Sequence, residues 1–126
     1  MYGSGWPKIE RAMPPEEGQQ AGARWRVTTG GGNTVVTLSG EIDLAAVRGP
    51  TEGILGPLRA TVVGDTVVVC DLSRVEYMDS SGFHLLVQLK RAVENAGGRF
   101  LIARPSEPVK QLLRIIGVEE FFDIQS

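Results

Sequence analysis

The sequence is poor in the features that mark several large protein classes. Its 126 residues contain a single cysteine, Cys70, so no disulfide can form within the chain. No apolar run approaches the roughly 20 residues that a membrane-spanning helix needs. The first residues also lack the apolar stretch of a secretory signal peptide. We therefore expect a cytoplasmic protein that does not associate with a membrane.

A strong excess of one charge is also lacking. The 13 Lys and Arg residues nearly balance the 15 Asp and Glu residues, and the basic residues do not cluster. Because nucleic-acid binding usually needs a concentrated basic patch, we expect no DNA or RNA partner. Neither a G-x-x-x-x-G-K-[ST] phosphate loop nor a G-x-S-x-G turn occurs. We expect no catalytic residues, no cofactor and no metal ion.

The first 23 residues differ in composition from the remainder. Residues 1–23 are rich in glycine, proline, glutamine and glutamate and have no sustained period of 2 or 3.6. Little apolar surface is available there to offset the entropy of ordering, so we expect a mostly flexible leader. A folded domain is expected to occupy residues 24–126, a length that fits one domain.

Four segments have the alternating or largely apolar pattern of β-strands: residues 24–29, 34–39, 66–72 and 99–103. The first two flank a glycine-rich turn and predict an antiparallel hairpin. The third is typical of a central strand covered on both faces, and Cys70 within it is expected to be buried. Residues 73–79 are expected to form a loop, and residues 121–124 a short edge strand or packed tail.

Three segments predict helices. Asp43 is a candidate N-cap for the first, which glycines and prolines interrupt and which we expect to be irregular through about Ala60. Regular helices are predicted at residues 80–95 and 107–116. The last is expected to face inward with Val109, Leu112, Leu113 and Ile116. The order β-β-α-β-α-β-α predicts an α/β fold with a small mixed β-sheet flanked by helices.

Polar residues gather in two segments that follow strands, residues 40–43 and 77–83. Ser80 lies at the predicted start of a helix, where free N–H groups and a partial positive charge accept anions. A phosphate on Ser80 would therefore be compatible with folding, while it would add roughly -1.5 to -2 charges. Spacing alone favours the simpler interpretation, in which Asp79 and Ser80 only cap the helix.

The charged residues near Ser80 decide what a phosphate would do. Four candidate neighbours are acidic, and the nearest cations in sequence are Arg74 and Lys90. These four are Glu41, Asp43, Glu76 and Asp79. Juxtaposed like charges can cost several kcal/mol at an interface. A loss of about 3 kcal/mol weakens binding roughly a hundredfold, which is enough to switch a protein contact off.

Two longer segments carry a family resemblance. Residues 67–122, from VVVCDLSRVEYMDSSGFHLL to GVEEFF, and residues 38–47, LSGEIDLAAV, resemble a STAS domain. The similarity is greater still to the bacterial anti-sigma factor antagonists, and it covers about Arg24 to Ile124. The succession of strand, MDSSG, helix, GG, strand, helix and G makes the resemblance specific, whereas DSSG alone would be weak.

This resemblance implies a mixed sheet flanked by helices and a partner-switching role. The unmodified protein would bind an anti-sigma factor that is also a serine kinase, and so release a sigma factor. The kinase would use ATP to phosphorylate the first serine after the aspartate, here Ser80, with Ser81 as a secondary candidate. A serine phosphatase would reverse the reaction. We expect a monomer.

The resemblance also implies a docking surface around Ser80. Asp43 maps to an acidic position at the start of the first helix, and Asp79 orients the phosphorylation loop. The expected partner-binding residues are Glu41, Asp43, Asp79, Ser81, Gly82, Phe83 and His84. His84 is a departure, because many relatives carry a small residue there. It shares a helix face with Ser80 and is expected to face solvent, contact the kinase or pair with phosphate.

Other functions fit the sequence less well. Ser80 with His84 could form a hydrolase dyad, but no third orienting group or oxyanion pocket is evident. Asp71 at a strand end resembles a receiver-domain site, yet the acidic pair and late-strand lysine of receivers are missing. Weak nucleotide binding stays open. The main alternative is a non-switching STAS scaffold or accessory subunit in a stress-signalling or transporter assembly.

Overall fold

The computed structural model describes residues 16–125, and their secondary structure defines the labels used below. The strands are β1 (Glu16–Gln20), β2 (Ala23–Gly30), β3 (Asn33–Ile42), β4 (Val67–Met78), β5 (Arg99–Ala103) and β6 (Asp123–Gln125). The helices are α1 (Arg48–Thr61), α2 (Ser80–Asn95), α3 (Glu107–Ile116) and a short 3-10 helix, Glu119–Phe121.

The six strands of this described region lie side by side in chain order. The pairs β1–β2 and β2–β3 are antiparallel, whereas β3, β4, β5 and β6 run parallel to one another. Parallel neighbours need crossover connections, and α1, α2 and α3 provide them. The predicted α/β fold, a mixed β-sheet flanked by helices, is confirmed.

One hydrophobic core joins the helices to the sheet. Successive strand residues point to opposite faces, and in the centre of the sheet Val36, Leu38 and Cys70 are fully buried. The helices contribute residues such as Leu58 and Leu86. Burial raises the pKa of the Cys70 thiol well above its ordinary range, so this cysteine packs as a small apolar side chain.

Residues 16–23 correct the predicted boundary of the domain. Glu16–Gln20 forms an edge strand that pairs with β2 and contacts α1, so a flexible leader through residue 23 is wrong for residues 16–23. Residues 1–15 lie outside the described region. Gly18 explains part of the pairing, since a Cβ there would lie 2.3 Å from the Trp25 ring. An edge strand that covers a neighbour in this way needs few apolar side chains.

The predicted loop at residues 73–79 is also wrong. β4 continues to Met78, with Val75 and Met78 buried between exposed residues. Its register against β3 shifts between Thr37 and Ser39 and again between Gly40 and Glu41. Such irregularities break the two-residue alternation of a strand, which made this segment resemble a loop.

Two helices differ in detail from their predictions. α1 is continuous from Arg48 to Thr61 although it contains Pro57, and Asp43 caps the turn that precedes it. In α3 the predicted inward position of Ile116 is wrong, because 38% of this residue is exposed. No helix within residues 16–125 is long and apolar enough to cross a membrane.

Candidate functional site

The carboxyl ends of β3 and β4 bring the two polar segments together. Ile42 pairs with Met78, and the Asp79 N–H donates to the Ile42 carbonyl at 3.3 Å. Because parallel strands end at the same edge of a sheet, Glu41 and Asp43 lie beside the residues that begin α2. This juxtaposition is the one expected from sequence.

Asp79 holds the start of α2. Its backbone is extended, and its side-chain Oδ1 accepts a hydrogen bond from the Ser81 N–H at 2.8 Å. Its carbonyl accepts from the N–H groups of Gly82 and Phe83 at 3.0 and 3.1 Å. Ser80 is the first helical residue and is exposed, whereas Ser81 is half-buried. The capping geometry therefore presents the hydroxyl-bearing residue Ser80 to solvent.

Gly82 allows this helix start to lie close to the sheet. It is buried, and a Cβ at this position would lie 2.4 Å from Met78 Cγ and 3.0 Å from the Ile42 carbonyl oxygen. Real Cβ atoms essentially never lie under 3.0 Å from a neighbour, so Met78 would have to shift, and the contact with the carbonyl oxygen would also be tight. Gly82 is thus a packing requirement of the helix start.

The turn after β3 carries both acidic and apolar side chains. Asp43 is half-buried, and its Oδ1 accepts from the Ala46 N–H at 3.1 Å. Glu41 is exposed and pairs with Tyr77 across the strands. Leu44 is 78% exposed and Tyr77 is 51% exposed. Sequence reasoning missed these two apolar residues, although their position among strand-end acids was a usable signal.

An open depression of about 370 Å³ lies beside Ser80, between α1 and α2. Its lining residues are Val47, Thr51, Ser80, Ser81, Phe83, His84 and Gln88. Phe83 is half-buried and packs edge-on against Phe122, with ring centroids 6.2 Å apart. His84 is exposed, and within residues 16–125 its ring makes no hydrogen bond to the Ser80 hydroxyl.

Asp71, the residue considered for a receiver-type site, makes local structural contacts. Burial would raise the pKa of its carboxyl group, but hydrogen bonds from Ser73 and the adjacent Arg104 guanidinium outweigh burial and lower it. The Ser73 N–H donates to Asp71 Oδ1 at 2.9 Å, and Arg104 forms an ion pair with the other oxygen. These contacts occupy both carboxylate oxygens.

The family model described as the STAS domain matches residues 24–126. The anti-sigma F factor antagonist of Lysinibacillus sphaericus is 30% identical over 86 residues, which span 67% of this chain and 70% of that protein. The match to the curated relative therefore extends over more than two thirds of its length.

Solved structures share the fold at lower identity. The anti-sigma factor antagonist SpoIIAA in its unphosphorylated form matches with a TM-score of 0.62 and 21% identity, covering 81% of this chain and 88% of SpoIIAA. The phosphorylated form of SpoIIAA, a Bacillus cell fate determinant, matches with a TM-score of 0.60 and 21% identity, covering 81% and 91%. An anti-sigma factor antagonist from Mycobacterium paratuberculosis matches with a TM-score of 0.69 and 23% identity, covering 82% and 85%.

Proposed function

Because this chain belongs to the STAS domain family and is similar to its anti-sigma factor antagonists, we propose that it is a cytoplasmic anti-sigma factor antagonist that works by partner switching. It has no catalytic activity of its own. Unphosphorylated, it binds an anti-sigma factor that is also a serine kinase, and the sigma factor is released. Phosphorylation of Ser80 ends this binding, and a serine phosphatase restores it.

The observation that carries the proposal is the exposure of Ser80 at the first position of α2, beside the strand-end acids. A kinase must bring the γ-phosphate of ATP to the hydroxyl oxygen in line with its attack, so an exposed serine is favoured. Ser81 is half-buried, and its N–H is held by Asp79. This difference favours Ser80 over Ser81 as the phosphate acceptor.

The start of α2 can also carry a phosphate on Ser80 without disruption of the fold. The first N–H groups of a helix are free of helical partners and favour anions. The acceptors already present there, the Asp79 side chain and carbonyl, bind the N–H groups of Ser81, Gly82 and Phe83. A phosphate on Ser80 would add negative charge outside this cap, and it would not have to break the cap.

The surroundings explain how the phosphate would act on binding. Glu41, Asp43 and Asp79 lie at the adjoining strand ends, so the surface is acidic before modification. A partner complementary to these carboxylates, with Leu44 and Tyr77 as apolar contacts, would already pair its cations with them. A phosphate on Ser80, with roughly -1.5 to -2 charges, would then lose water on docking without a cation of its own, and this desolvation opposes binding.

The proposal is tested by incubating the purified chain with ATP and candidate serine-kinase anti-sigma factors from the same genome. We expect intact-mass measurement to show one phosphate on the wild-type chain and on Ser81→Ala, but none on Ser80→Ala. Ser80→Ala should remain bound to the kinase when ATP is present, because its docking surface never changes. Binding is measured by calorimetry before and after incubation.

Each alternative result has a defined meaning. Stoichiometric phosphate on Ser80→Ala would move the modified site to another residue, with Ser81 the first to test. A tight complex that never carries phosphate would favour a non-switching scaffold and direct the search to large assemblies. The absence of binding to every serine-kinase anti-sigma factor of that genome would refute the antagonist proposal.

A further inference from the structure

A groove extends from the Ser80 site along the whole length of α2. The depression beside Ser80 adjoins a second one of about 430 Å³, and both are lined by Gln88. The second depression is lined by Leu55, Arg59, Gln88, Arg91, Ala92, Asn95 and Ala96. Residues of α1 line both depressions: Thr51 lines the first, and Leu55 and Arg59 line the second. Because these three residues are four positions apart, they lie on one face of α1, and the two depressions form one groove.

The far end of this groove is basic. Arg59 on α1 and Arg91 on α2 are exposed and line the same depression. Within residues 16–125, neither arginine has a carboxylate within 4.0 Å. Two arginines thus line one depression with no counter-charge from the part of the chain that the structure describes, although the whole chain carries a net charge of -2.

The acidic residues of the two helices are already engaged elsewhere. Glu52 is the only acidic residue of α1 and binds Arg48 at 3.0 Å. Glu94 is the only acidic residue of α2 and binds Lys90 at 2.5 Å. Neither carboxylate can neutralise the two groove arginines without giving up its present partner, so carboxylates from another molecule would complement this end.

We propose that the groove between α1 and α2 is an extended docking track for the anti-sigma factor, with Arg59 and Arg91 binding acidic residues of that partner. This inference rests on the proposed function and adds a second anchor to it. The partner segment must be dipolar, since one end meets the acidic surface around Ser80 and the other meets two arginines. Its carboxylates should lie roughly 16 Å from the group that contacts Ser80, the rise of eleven helical residues.

The two anchors should contribute differently to the switch. Phosphorylation changes the Ser80 end and leaves the charge at Arg59 and Arg91 unaltered. The far anchor should therefore hold the kinase equally well in the ground state and the transition state of phosphoryl transfer. Loss of such uniform binding raises KM and leaves kcat unchanged.

The test uses the full chain with Arg59→Glu and Arg91→Glu, separately and combined. Arg26→Glu is the control for each single variant, and Arg26→Glu with Lys110→Glu is the control for the combined one. Arg26 on β2 and Lys110 on α3 are exposed and have no ion-pair partner within residues 16–125, so each control makes the same charge change away from the groove. We expect the combined variant to raise Kd by about tenfold or more beyond the control, by analogy with other charge reversals at interfaces. KM for phosphorylation should rise with Kd, at unchanged kcat.

Several outcomes would overturn the inference. Equal weakening by Arg26→Glu would show that net charge acts at long range and that the groove is not a docking track. If the wild-type chain binds and the combined variant has unchanged Kd and KM, the groove anchor would be rejected while the proposed function would stand. No binding by the wild-type chain would reject the proposed function and the anchor with it. Thermal melting of every variant separates loss of fold from loss of docking.

Discussion

At the scale of single residues, two glycines differ in what their surroundings allow. We expect Gly82→Ala to destabilise the fold by about 1–3 kcal/mol, because its Cβ would crowd Met78 and the Ile42 carbonyl oxygen. Gly64→Ala is the matched control, since its Cβ would meet nothing within 4 Å. Its effect should be neutral or stabilising by up to about 1 kcal/mol. Urea unfolding measures both; equal stability of the two variants would show that the start of α2 is loosely packed.

Another residue-scale prediction concerns Asp71, whose pKa is lowered in the folded chain. Burial acts to raise it, but hydrogen bonds from Ser73 and the Arg104 charge outweigh burial. A carboxyl group with a depressed pKa stabilises the fold above its unfolded pKa of about 3.9, and this contribution is lost as pH falls through the folded value. Asp71→Asn should therefore lower stability at pH 7 and differ less from wild type as acidity increases below pH 4.

Urea unfolding across this pH range tests the Asp71 prediction. Glu120→Gln is the control, because Glu120 is exposed and forms no ion pair within residues 16–125. Its stability should follow that of the wild type at every pH. A destabilisation by Asp71→Asn that is the same at pH 7 and at low pH would mean that packing, and not charge, is the source of the effect.

At the scale of elements, the apolar stripe in the sequence of α3 is longer than the part of the helix that packs against the core. Leu113 is 1% exposed, Leu112 is half-buried and Ile116 is 38% exposed, although all three fit one apolar stripe. The helix ends at Gly117, whose φ is 80°, and its last turn extends past the core. The sequence stripe was therefore correct in period but too long by one turn.

This assignment predicts different costs along α3. Leu113→Ala should cost about 2–5 kcal/mol, because it leaves a cavity in the core. Ile116→Ala should stay within about 0.5 kcal/mol, as surface changes usually do. Chemical unfolding of the two variants gives the comparison. If Ile116→Ala lowered the free energy of unfolding by more than Leu113→Ala, Ile116 would pack inward, as the sequence predicted.

An element could be predicted from sequence when its own residues carried a clear local pattern. α2 was predicted at residues 80–95, the range observed, because an N-cap, apolar spacing and a glycine stop agree. β1 was missed because an edge strand gains order from its neighbour, with Gly18 beneath Trp25, and not from its own apolar content. The end of β4 was missed because register shifts hid its alternation. The groove depends on the packing of α1 against α2, which no local pattern encodes.

At the scale of the whole molecule, fold and surface charge are separable. The core includes Ile42 and Met78 at the strand ends, but the acidic side chains there are exposed or half-buried, and the cap of α2 forms without Ser80 side-chain contacts within residues 16–125. A negative charge at residue 80 can therefore change what the chain binds without changing how it folds. The proposed switch needs this separation, because a phosphate that unfolded the chain would expose it to aggregation before the phosphate could be removed.

Ser80→Asp tests this separation directly. It should weaken binding to the proposed anti-sigma factor by up to roughly a hundredfold, the effect of about 3 kcal/mol lost in desolvating a carboxylate that gains no cation on docking. Its melting temperature should stay within a few degrees of wild type, because the carboxylate meets the favourable end of the α2 dipole. Gln111→Glu, which adds one negative charge on the exposed side of α3, is the control and should bind as wild type does. Calorimetry at low and high salt gives the affinities. Unchanged affinity of Ser80→Asp would reject charge as the switch, and a loss of cooperative melting would mean that the modification acts through unfolding.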